Sequence, residues 1–194
     1  MDEKELIFNN LIMTALNKRT IIINEEITSE TALMVSEMLQ LIKAKDDLDR
    51  VRDENKYIIF EISSGGGNCY SGYYICSLIN KYRNEYGYKI ITRCCEICAS
   101  MASVIFVMGD EREMSEFSDV MIHQPLSGTQ GIENLTETEE RAELLLRMWL
   151  RMKSIFLKRT KVESFILEDI KRCKKDRYFN ATECLNLGIA TKIL

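Results

Sequence analysis

Histidine and proline are almost missing from this chain of 194 residues, which holds one of each, His123 and Pro125. A single histidine removes most zinc arrangements, which need four ligands at suitable spacing. The stretch "CCEIC" (Cys94, Cys95, Cys98) is followed by no second CxxC. Adjacent cysteines in a strand point to opposite faces, so these thiols are expected to fill core space, and no metal is expected. The total of seven cysteines is odd, and with no secretion signal they read as reduced. No apolar run is long enough to span a bilayer, and "MDEKELIFNN" has neither a basic start nor an apolar core. A cytoplasmic protein without a membrane partner is expected. Net charge is −4 with scattered basic residues, so no nucleic-acid partner is expected either. Neither G-x-G-x-x-G nor G-x-x-x-x-G-K-[ST] occurs, so no cofactor is expected, and any ATP-driven step must come from a separate partner.

What the chain does have is a hydrophobic content of 46%, enough for one domain with a full core. Strands alternate with helices. "TIIIN" (20–24) is a buried strand, and Ala32, Val35, Leu39 and Ile42 follow at helical spacing. The charged run 43–56 reads as a helix end and a solvated loop. "YIIFEI" (57–62) is a second strand, and the segment after "SSGGGN" is a helix closing near Gly87. "YKIITRCC" (88–95) is a third strand, "SMASVIFVMG" a short apolar helix, and "SDVMIHQP" a fourth strand. The pattern implies βαβ units and a mainly parallel sheet with both faces covered. A long helix over 136–159 is apolar on more than one stripe, which suits packing against another subunit; a central core helix is the alternative.

In such a sheet the site lies beyond the carboxyl ends of the strands. Three segments fall there: Gly65–Gly67, Ser100 and His123. A serine hydroxyl needs a positioned base to become a nucleophile, and His123 is the one histidine that could serve. Ser100 opens a helix, where the Met101 N–H is unpaired and able to bind a developing oxyanion. Small neighbours, Ala99 and Ala102, allow a tight turn of the nucleophile-elbow kind, although its flanking glycines are absent. Ser100 could instead be a plain helix N-cap, and Ser103 is expected to pack within the helix. The glycine run lets backbone approach a ligand, or is simply a tight turn.

Four segments resemble the ClpP family, the proteolytic subunits of the Clp ATP-dependent proteases. They are "ISSGGGNCYSGYYI", "CASMAS", "VMIHQPLSGTQG" and "KKDRYFNATECLNLGIATKI", in the family's order from about 17 to 193. The resemblance implies an α/β fold of the crotonase-like type, built of repeated ββα units with a protruding handle helix. It divides the single domain 1–194 into an N-terminal segment (1–16), a head (17–128 and 160–194) and a handle (129–159). It implies a serine endopeptidase assembled as two stacked heptameric rings, fed by a separate AAA+ unfoldase and cutting unfolded polypeptide. Ser100 would be nucleophile, His123 general base and Asp176 the triad aspartate, a choice over Asp169 or Asp119 that the residues alone do not make. Gly67 and Met101 would donate the oxyanion N–H groups. Gly65, Gly66 and Pro125 would border a substrate bound as an added strand.

The chain departs from the family pattern at several points. The proline of Ser-Pro-Gly-Gly is Gly65 here, which loosens that loop. The family's ring-linking arginine is Lys175, preceded by Lys174, and lysine lacks the planar bidentate fork. The segment before the first strand is short, and the loop near 45–56 is lengthened. A non-catalytic ring component, and more distantly a crotonase-like acyl-CoA enzyme, are the alternatives.

Overall fold

The computed structural model describes residues 12–128, 132 and 134–194. Most of the N-terminal segment and the first residues of the expected handle lie outside that range. Among the described residues seven strands form one sheet: β1 (Thr20–Ile23), β2 (Tyr57–Ser64), β3 (Lys89–Ala99), β4 (Glu111–Met114), β5 (Asp119–Ile122), β6 (Arg177–Asn180) and β7 (Lys192–Ile193). Besides a helical stretch over 12–18, the helices among the described residues are α1 (Ser29–Leu48), α2 (Cys69–Tyr86), α3 (Met101–Phe106), α4 (Leu135–Arg159), α5 (Ser164–Cys173) and α6 (Ala181–Asn186). The sheet order is β1-β2-β3-β4-β7, with β5 joined to β3 and β6 to β5. Every pairing is parallel except that of β5 with β6.

Local chemistry sets the helix ends. Thr28 caps α1 through a reciprocal box with Thr31. Asn68 Oδ1 accepts from the N–H groups of Tyr70 and Ser71 at 2.9 and 3.0 Å and starts α2 directly after the glycine run. Gly87, in the left-handed conformation, ends it. The predicted α1 positions Ala32, Val35, Leu39 and Ile42 are all buried, as are Ile75 and Ile79 of α2.

Several expectations need correcting. The helix α1 ends inside the charged stretch as expected, at Leu48, but Asp46 is not on a wet face. It is 3% exposed, bonded by Arg19 Nε at 2.9–3.0 Å and by the Tyr88 hydroxyl at 3.1 Å. The strand "SDVMI" is fifth rather than fourth, because the short strand β4 precedes it. Nor is the sheet covered on both faces. Along β2 buried and half-buried residues alternate, and Ile22 of β1 is 52% exposed. The open face carries a row of charges across four strands: Arg93 bonds Glu61 and Glu113 at 2.7 Å, and Lys192 reaches Glu113 at 3.1 Å.

The central strand β3 serves two neighbours in succession. Ile91–Cys94 pair with β4, and Ile97–Ala99 with β5. An irregularity at Ile62/Ser64 opposite Cys94 and Cys98 lets it change partners. That switch brings the ends of β3 and β5 side by side.

Candidate active site

Ser100 follows β3 directly, with φ 53° and ψ −122°, a backbone conformation that an L-residue adopts only under constraint. Its N–H is held by Met121 O of β5 at 2.9 Å. It precedes α3, yet its side chain makes no capping bond. The plain N-cap reading therefore fails: the hydroxyl is turned away from the helix it precedes. Ser103, as expected, is fully buried, and its Oγ donates to Ser100 O at 2.6 Å.

The Ser100 Oγ lies 2.7 Å from His123 Nε2. His123 is the residue after β5, whose Val120 and Ile122 are fully buried, so the ring stands on the opposite side. The β5–β6 ladder ends with Ile122 opposite Arg177. One step further along an antiparallel pair, Asp176 falls opposite His123. Its Oδ1 is 3.4 Å from His123 Nδ1, and the carboxylate is 55% exposed. This contact is longer than a charge-assisted hydrogen bond, and such bonds often tighten only in a substrate complex. The competing aspartates are placed elsewhere: Asp169 pairs with Arg172 on α5, and Asp119 begins β5, opposite Asn180. Of the three aspartates the topology thus brings Asp176 to His123, through the antiparallel strand β6.

The glycine run packs against the same turn. A side chain on Gly66 would put its Cβ 2.6 Å from Ser100 Cβ and 2.9 Å from Met101 N. Gly66 also has φ +100°, so both space and conformation require glycine there. Its N–H is accepted by Ser64 Oγ at 3.1 Å, and its carbonyl accepts from Ile27 N–H at 2.8 Å. Within the described residues, no backbone carbonyl takes the N–H of Gly67 or of Met101. Gly65 is exposed with open space beside it, and Pro125 is half-buried beyond β5. Lys175 is exposed on the turn before β6, directly ahead of Asp176.

The core-filling expectation holds for Cys94 and Cys98, which are buried, but not for Cys95, which strand alternation places exposed on the opposite face. Burial pushes the Cys98 and Cys184 thiols well up. Among the described residues no group of three or more His, Cys, Asp or Glu side chains is placed to hold a metal, and no helix is long and apolar enough to cross a membrane.

A serine, histidine and aspartate at the carboxyl ends of a parallel sheet, with free backbone N–H groups beside the serine, have the geometry of acyl-transfer hydrolases. Residues 3–194 match the Clp protease family. The chain belongs to that family. It is 35% identical over 145 residues to the ATP-dependent Clp protease proteolytic subunit of Cuscuta reflexa, covering 72% of this chain and 67% of that protein. It is 29% identical over 182 residues to the ATP-dependent Clp protease proteolytic subunit 1 of Prochlorococcus marinus, covering 92% and 85%. A solved structure of a ClpP1 mutant from Listeria monocytogenes superposes with a TM-score of 0.77 over 95% of each chain, at 23% identity. The fold is therefore the crotonase-like fold of ClpP, and the chain is a ClpP-type peptidase subunit.

Proposed function

We propose that this chain is an active serine endopeptidase that hydrolyses peptides and unfolded polypeptide. The observation that carries the reading is the 2.7 Å approach of His123 Nε2 to a Ser100 hydroxyl that caps nothing. In the reaction His123 takes the Ser100 proton as Oγ bonds to the scissile carbonyl carbon. The oxyanion so formed is met by the N–H groups of Gly67 and Met101. His123 then gives its proton to the leaving amine, and a water molecule, deprotonated in turn by His123, releases the acyl group. Asp176 holds the imidazole and offsets its charge. Substrate adds as a strand beside Gly65 and Gly66, with Pro125 on the far side.

The active form in this proposal is a homo-oligomer of two stacked heptameric rings, located in the cytoplasm. Residues 135–159 form a handle between the rings, and a separate AAA+ unfoldase supplies ATP-driven unfolding. The helix α4 supports this arrangement, because Leu146, Leu150 and Leu157 remain 40–51% exposed while Met148, Trp149, Met152 and Phe156 are buried. An apolar surface on two sides of a helix calls for a second partner. A weakly active ring component is the second reading, favoured by the exposed Asp176 and its long contact to His123. Hydrolysis of an unstructured fluorogenic peptide, with native mass of the same sample, separates the two. Turnover that vanishes in Ser100→Ala while assembly persists supports the peptidase; an assembled wild type without turnover supports the ring component.

A further inference from the structure

The end of α4, the turn at Gly188 and the strand β4 line an open, groove-like cavity of about 460 Å³ that no step of the proposed hydrolysis uses. Four lining side chains are cationic, Arg112, Lys158, Arg159 and Lys161, and none is acidic. Arg112 is 8% exposed, and its guanidinium is held in place by the carbonyls of Ile189, Gly109 and Gly188 at 2.8, 2.9 and 2.9 Å. Arg159 is oriented in the same way by Val107 O at 2.8 Å and Gly109 O at 2.9 Å. Carbonyls fix a guanidinium without neutralising it. Burial and the neighbouring Arg159 both lower the pKa of Arg112, the mark of a cation short of negative charge.

Among the described residues Asp110 is the one carboxylate paired with any of these four cations, at 3.3 Å from Arg159, and it is already engaged by Arg83 at 2.8 Å. Lys158 and Lys161 make no ion pair among the described residues. The backbone of Lys161 is nonetheless fixed, because its N–H donates to Leu187 O at 2.7 Å. The turn at Gly188 (φ +63°) runs close beside its stem, where an added Cβ would come within 3.1 Å of Lys161 Cγ. Two immobile guanidiniums at the base and two ammonium groups on short tethers form a built receptor rather than a scattered surface charge.

We propose that this cavity binds a small phosphate-bearing polyanion of di- or triphosphate size. A monoanionic carboxylate would leave most of the four charges unmatched, whereas a polyphosphate supplies several. The two guanidiniums, their forks held by backbone carbonyls, supply fixed positive charge, and the lysines serve as mobile point charges for phosphate oxygens. The volume lies within the range of small-ligand sites and exceeds what one phosphate group fills.

The test is calorimetric titration of inorganic tripolyphosphate into the full chain at constant ionic strength, repeated on Ser100→Ala so that the result is independent of peptidase activity. One saturable site per chain is expected. The double variant Lys158→Ala/Lys161→Ala should bind roughly tenfold or more weakly, as loss of a charge-assisted contact implies. Both lysines lack side-chain partners among the described residues, so the variant should keep the wild-type circular dichroism. Heat without saturation would overturn the proposal, as would unchanged affinity in the double variant. So would a thermal stabilisation that sodium chloride reproduces at matched ionic strength.

Discussion

Consider alanine placed at two neighbouring glycines, Gly66 and Gly65. At Gly66 the new Cβ meets Ser100 Cβ at 2.6 Å, Ala99 O at 2.8 Å and Met101 N at 2.9 Å, two of them backbone atoms that cannot swing aside. The left-handed φ of +100° adds conformational strain for any L side chain. Strain of this kind costs about 1–2 kcal/mol, and overpacking about 1–3 kcal/mol. Gly66→Ala should therefore lose about 2–5 kcal/mol of stability. Relief of the clash must come from moving the turn that holds Ser100, so reactivity should fall with stability. At Gly65 nothing lies within 4 Å of the new Cβ, and φ is not left-handed. Gly65→Ala should stabilise by about 0.4–1 kcal/mol through the unfolded chain and leave reactivity near wild type. Urea unfolding of both variants, with the rate of fluorophosphonate labelling, reads both effects. Equal midpoints for the two variants, or wild-type labelling of Gly66→Ala, would refute the packing of the glycine run on the nucleophile turn.

Asp46→Ala strands a largely buried Arg19 and should cost about 3 kcal/mol in urea unfolding; a loss as small as that of an exposed pair such as Lys43–Asp47 would show the Arg19 contact to be superficial. In the native protein at neutral pH a maleimide should modify Cys95 and Cys173 quickly and leave the buried Cys76, Cys94, Cys98 and Cys184 intact. Mass mapping that finds Cys98 among the fast sites would contradict its burial. Burial pushes the Glu113 carboxyl upward, but bonds from Arg93 and Lys192 together outweigh it and hold the pKa below its usual range. That contribution is fully present above the ordinary glutamate pKa and is lost as pH falls through the depressed value. Arg93→Met should flatten the loss of stability on acidification, and an unaltered pH profile of unfolding would count against it.

Much of the frame was legible because its signals were local. The spacing Ala32–Val35–Leu39–Ile42 marked α1, Gly87 marked the end of α2, and the order of strand ends placed the glycine run, Ser100 and His123 at one edge. What escaped was structure made by distant partners. The strand β4, "EREM", has three charged residues, and it packs because Arg112 meets three carbonyls while Glu113 lies between Arg93 and Lys192. In β6, "RYFN", Phe179 alone is buried, too faint a pattern to show a strand. Without β6 nothing in the residue order favours Asp176 over Asp119 or Asp169. Asp46 was read as solvated for the same reason, since its partner Arg19 is 27 positions away.

The proposed peptidase activity depends on one serine, Ser100, being activated by one histidine, His123. Intact-mass analysis of the protein after fluorophosphonate treatment tests this, on wild type, Ser100→Ala and His123→Ala. One adduct per chain on wild type, and none on either variant, is the predicted result. An adduct that persists in Ser100→Ala, or its absence from a wild type shown by native mass to be assembled, would contradict it.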